Sequence, residues 1–152
     1  LQGQGPLDVE QLADAVADSA RYDVFEFVDS ALRGDAGRIV HILDGLRGEG
    51  VAPPVVLWAL HREIHTLAAI SADVAKGLPA ERAIDRARVF SKRTALVRQG
   101  LGRLHTAEWL ALLDLCHQAD AAIKGIGQQQ PWILIEDIAL SMCGQAPDSR
   151  AG

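Results

Sequence analysis

The residues with the clearest chemical potential stand in the run His61-Arg62-Glu63-Ile64-His65. Two histidines at i and i+4 share one helix face and could ligate a transition metal together. The helical zinc-hydrolase pattern, however, puts a glutamate directly after the first histidine, beside the metal-bound water. Glu63 is one position late and falls elsewhere around the helix. A third ligand would have to come from His41, His105, His117 or Cys116, and the spacing assigns none of them. The pair therefore reads as surface or structural histidines, with a metal-dependent helical enzyme using His61 and His65 as an alternative.

Other catalytic patterns are missing a necessary part. A phosphate-cradling loop needs its glycines followed by Lys and Ser or Thr. Gly100-Leu101-Gly102 has no lysine, and Gly125-Ile126-Gly127 follows Lys124 instead of preceding it. Cys116 and His117 are sequence neighbours, but side chains at i and i+1 diverge on a helix. No glycine-flanked nucleophile is present. The expectation is a non-catalytic chain without metal or cofactor. Trp58, Trp109 and Trp132 each fall in apolar helical faces and read as core residues.

Charge is unevenly spread. Between Arg82 and Arg103 stand seven basic residues and one acid, Asp85, for a net +6 in a chain of net −5, which leaves −11 elsewhere. Such a stretch is either a solvated helix face or a surface for nucleic acid or an acidic partner. A free-standing helical nucleic-acid-binding bundle is thus a second alternative.

These residues must be positioned by helices. The 152-residue chain is nearly half apolar, 23% charged and only 5% aromatic, so its core is built from Leu, Ile, Val and Ala. Helix signals recur along the chain, and strand alternation is absent. Asp8 caps a first helix to about Ala17, and Asp23 caps a second with Val24, Val28, Ala31 and Leu32 on one face. Gly34 ends it and Asp35 opens the next, striped by Ile39, Val40, Ile42, Leu43 and Leu46. Pro53-Pro54 suits the first turn of a long helix carrying Leu57, Trp58, Leu60, Ile64, Leu67 and Ala68, closed by Gly77. Pro79 starts a short helix to about Ala87. Thr106 caps a helix from Trp109 to Ile123 that is apolar around most of its circumference, which predicts a central place. A loop at Gly125–Gln130 leads to the last helix, Pro131–Cys143.

The fold class expected is therefore all-α, a single helical bundle of about six to eight helices with short connections. No apolar run approaches the ~20 residues that span a bilayer. Cys116 and Cys143 read as free thiols in a reducing cytoplasm. Leu1–Pro6 begins without Met and reads as the interior of a longer chain.

The order of residues carries a resemblance. The run Asp18-Ser19-Ala20-Arg21-Tyr22-Asp23-Val24-Phe25-Glu26-Phe27-Val28 is similar to the opening of the C-terminal domain of clamp-loader delta subunits. It continues in register through Gly34-Asp35, Ile42-Leu43, Glu49-Gly50, Leu57-Trp58-Ala59-Leu60 and Arg62-Glu63. Arg88-Val89-Phe90 resembles the family's Arg-Val-Trp element, and Ala122-Ile123-Lys124-Gly125 with Trp132 resembles its C-terminal signature. The resemblance runs from about Leu12 to Cys143.

The resemblance implies a collar domain that binds the gamma/tau-type and delta-prime-type subunits of a DNA polymerase III clamp loader, without nucleotide hydrolysis of its own. It implies residues 1–12 as the exit from a preceding lid domain, 13–144 as the collar domain and 145–152 as a disordered tail. Interface duty is expected of the last two helices, around Asp120, Lys124, Trp132, Glu136 and Asp137. Contact with primer-template DNA, through the whole complex, or with an acidic partner is expected of Arg88, Lys92, Arg93, Lys124 and Gln128. The loop before Trp132 holds no aromatic to stack on a base. The stripes Val55–Leu60 and Trp109–Cys116 are wider than one buried face requires, as a protein-binding surface would need.

Overall fold

The computed structural model describes residues 6–144, with side chains from residue 18 onward. Among the described residues there are seven α-helices and no strand: α1 (Pro6–Arg33), α2 (Ala36–Gly48), α3 (Pro53–Ala75), α4 (Ala80–Arg86), α5 (Thr94–Leu101), α6 (Thr106–Ile123) and α7 (Pro131–Met142), with one 3-10 turn at Ser91–Arg93. The all-α bundle expected from periodicity is what forms. The boundary expected at residue 12 falls inside α1, and the expected tail 145–152 lies outside the described residues.

The two helices expected between Asp8 and Leu32 are one. The segment joining them, Asp18–Asp23, holds neither Gly nor Pro, so nothing interrupts the backbone hydrogen bonds. Asp23, expected as a cap, lies mid-helix. The helix ends where Gly34 turns left-handed (φ +78°), with its N–H on the Ala31 carbonyl and that of Asp35 on the Ser30 carbonyl. Asp35 then caps α2 as expected, its carboxylate accepting from the Arg38 N–H at 3.1 Å. Pro53 and Pro54 occupy the first turn of α3, and Pro131 opens α7.

The central helix is α3 rather than α6. It packs against α6, α1, α4, α7 and α5, whereas α6 packs chiefly on α3 and α7. Only Trp109, Leu112, Cys116 and Ala119 of α6 are buried, one face of the helix, and Leu110 points to solvent. The apolar run of α7 (Leu134, Ile135, Ile138, Ala139, Leu140, Met142) fills the middle of the bundle with Phe27, Leu60, Ile64 and Leu67. Ala139 apart, burying each of these side chains stabilises the fold by about 1.5–3 kcal/mol relative to exposure.

Two close approaches tie α5 and its following loop to α1. A Cβ at Gly100 would lie 2.8 Å from Leu32 Cδ2, so only glycine lets α5 sit this near. Arg103 lies over Gly34 and donates to the Leu32 carbonyl, one of the acceptors left open at the end of α1. Thr106 begins α6 but does not cap it. Its hydroxyl shares a 2.7 Å hydrogen bond with Ser71 of α3, while the Glu108 carboxylate accepts from the His105 N–H at 2.8 Å. No helix is long and apolar enough to cross a membrane among the described residues.

Candidate functional site

The fold divides the basic stretch. Arg93 bridges two helices, with one nitrogen 2.8 Å from Asp29 of α1 and another 2.6 Å from Glu63 of α3. Burial works against its charge, yet the two carboxylates hold its pKa above the ordinary value. Arg98 pairs with Glu81 at 2.8 Å, and Arg103 is spent on the Leu32 carbonyl. Arg82, Arg86, Arg88 and Lys92 remain exposed. Arg88 is left-handed (φ 59°), a conformation uncommon outside glycine, which ends α4 sharply and turns the chain toward Phe90.

The residues expected at an interface lie on the end of α6, the loop after it and α7. Asp120 and Lys124 pair with each other at 2.8 Å across one turn of α6, both largely exposed, a contact of small energetic weight. Trp132 is half-buried and packs on the core, and Glu136 and Asp137 are half-buried along α7. Gln128 is exposed in the loop between α6 and α7. No hydrogen bond or ion pair links Arg88, Lys92 or Arg93 to Lys124 or Gln128 among the described residues.

The histidines do cluster. The rings of His61 and His65 lie 6.2 Å apart on α3, and His117 of α6 comes within 6.1 Å of His61. Glu63 turns away from them toward Arg93, as its position in the run dictates. Among the described residues, no three His, Cys, Asp or Glu groups are arranged to hold a metal ion.

A different surface stands out. Trp58, expected in the core, is 56% exposed, while Trp109 is fully buried. Tyr22, Phe25 and Phe90 are exposed as well, at 65%, 41% and 77%. Trp58 and Phe25 wall a groove of about 490 Å³ between α1 and α3, with Val24 at its base and Val51 and Val55 completing it. Phe25 also borders an adjoining cleft with Phe90, Arg62 and the Arg93 ion pairs. The Arg62 guanidinium lies 5.0 Å over the Trp58 ring and, among the described residues, meets no carboxylate. Exposed aromatic and aliphatic side chains gathered beside arginine have the composition of a protein-binding surface. The sequence signal was the unbroken apolar run Val55–Leu60, six residues that cannot all face inward from one helix.

Comparisons with known proteins agree on one family. The model described as processivity clamp loader gamma complex DNA pol III C-term matches residues 24–148. The chain is 30% identical over 143 residues to DNA polymerase III subunit delta of Escherichia coli (strain K12), an alignment covering 94% of this chain and 41% of that relative. It is 23% identical over 145 residues to DNA polymerase III subunit delta of Haemophilus influenzae, covering 90% of this chain and 42% of that relative. The chain thus spans about two fifths of the length of these curated relatives.

Proposed function

We propose that this chain, which belongs to the processivity clamp-loader family of DNA polymerase III C-terminal domains, is a non-catalytic collar segment that holds clamp-loader subunits together. Its partners are the C-terminal domains of gamma/tau-type and delta-prime-type subunits, and its setting is the replication machinery of the cytoplasm. The observation that carries this reading is the family match over residues 24–148. The surface supports it physically. A segment of a ring meets two neighbours, so it needs two binding faces beyond those that build its own core. The α1/α3 groove supplies one. The α6–α7 end supplies the other, with Trp132 half-buried, Ile126 and Ile133 exposed, and Asp120, Lys124, Glu136 and Asp137 as its polar groups.

One observation favours a further contact with primer-template DNA in the assembled loader. Phe90 is exposed between Arg88 and Lys92, pairing a stacking surface with two free cations. Lys124 and Gln128 are the backbone-contact candidates at the α6–α7 loop. The assembly reading is tested by size-exclusion chromatography with light scattering on this chain mixed with its partner subunits. Co-elution as a defined complex at micromolar concentration is expected, and separate elution would reject a collar role.

A further inference from the structure

The groove between α1 and α3 has a chemistry specific enough to name what fills it, given the assembly role above. Its floor and walls are apolar: Val24, Phe25, Val51, Val55 and Trp58, with Ala20 beside them. The lining is apolar apart from Arg21, so the occupant is aliphatic rather than a nucleic-acid backbone. The groove runs between two packed helices, and the described residues offer no strand edge to extend. A helix laid across it, with side chains at i, i+3 and i+4 pointing inward, is the geometry such a groove accepts.

Charge fixes the rest of the occupant's character. Arg62 lies over the Trp58 ring and, among the described residues, pairs with no carboxylate. Asp29 and Glu63, which line the adjoining cleft with Arg62, are both taken by Arg93. Arg21 pairs with the exposed Asp18 at 3.3 Å. Arg62 is therefore a positioned cation open to a partner's carboxylate beside the groove.

We infer that the α1/α3 groove is the docking site for a helix of a neighbouring clamp-loader subunit, bearing two or three Leu, Ile or Met side chains and a carboxylate one turn away that meets Arg62. Trp58 is the anchor, since a tryptophan beside an arginine at the centre of an apolar patch carries a disproportionate share of binding.

The test measures binding of this chain to the partner subunits by fluorescence anisotropy, for wild type, Trp58→Ala, Trp58→Phe, Arg62→Ala and, as a control on α2, the exposed Val40→Ala. Circular dichroism melts check that each variant folds. Trp58→Ala is expected to weaken binding by ~30-fold or more, and Arg62→Ala by ~5-fold with a reduced response to salt. Trp58→Phe and Val40→Ala should stay within ~3-fold of wild type, because aromatic area is kept or the site is untouched. If wild type binds and both alanine variants at the groove bind equally well, the groove assignment fails while the collar role stands. If wild type binds no loader subunit, the collar role itself fails and the groove assignment with it. Self-association of the chain alone that depends on Trp58, or single-stranded DNA binding that depends on Trp58, would each replace the proposed helix with another occupant and overturn the assignment.

Discussion

Arg93 illustrates how a charge that reads as surface becomes structural. It stands in a basic run, yet its guanidinium fork reaches Asp29 on α1 and Glu63 on α3 at once, at 2.8 and 2.6 Å. A planar donor fork suits two carboxylates as an ammonium cannot. Replacing it with alanine leaves two partly buried carboxylates facing each other. The expected cost is about 2 kcal/mol, below that of a fully buried pair because water still reaches the site. Urea denaturation of Arg93→Ala and Arg93→Lys checks this, the lysine variant falling between alanine and wild type. Cys116 makes the opposite case, a reactive group silenced by its surroundings. Burial pushes its thiol up to about 12, and burial also raises that of the half-buried Cys143. At pH 8 only roughly one Cys116 in 10⁴ is a thiolate. In a Cys143→Ser background, reaction with Ellman's reagent should therefore follow unfolding rather than added reagent. A fast, reagent-dependent rate would show that the α6 face opens locally.

At the scale of elements, the punctuation of the helices was legible and their rotation was not. Gly34, Gly50 and Gly77 adopt left-handed conformations at the ends of α1, α2 and α3, and Pro53 and Pro131 open α3 and α7, where their chemistry points. The supposed break before Asp23 failed because a capping residue marks a helix start only where something also stops the helix before it. The Val55–Leu60 run is apolar on every side, so local periodicity cannot say which residue faces out. Contacts with α1, α6 and α7 decide that, and they leave Val55 and Trp58 outside. This is why the width of the Val55–Leu60 stripe signals a second surface while Trp58 itself reads as core, and why Arg93 reads as surface. The two tryptophans therefore separate packing from binding. Trp109→Ala should cost ~3–5 kcal/mol, since it empties a fully buried site in α6. Trp58→Ala should cost less than ~1 kcal/mol, since most of its ring is already wet. Thermal or chemical melts of the two variants compare them directly, and equal losses would mean that Trp58 belongs to the core.

For the whole molecule, the question is whether the charge of +6 between Arg82 and Arg103 acts as one field. The fold answers by dividing it. Arg93, Arg98 and Arg103 are matched by Asp29, Glu63, Glu81 and the Leu32 carbonyl, which leaves Arg82, Arg86, Arg88 and Lys92 exposed. A free-standing nucleic-acid-binding bundle would draw on all seven cations. Each phosphate neutralised on single-stranded DNA adds about 0.7 to the slope of log K against log salt. Within this stretch, four available cations contribute about 3 to that slope, and seven would contribute about 5. Anisotropy titrations of this chain with a single-stranded oligonucleotide at several salt concentrations distinguish the two. A slope of about 3 or less is expected, falling by about 1.4 when Arg88 and Lys92 are both replaced by alanine. Such weak, shallow binding fits a domain that meets DNA only as part of a larger assembly, where other subunits supply most of the phosphate contacts. A slope near 5 would mean that the ion pairs of Arg93 and Arg98 open to engage DNA, and the charge would then belong to binding rather than to the fold.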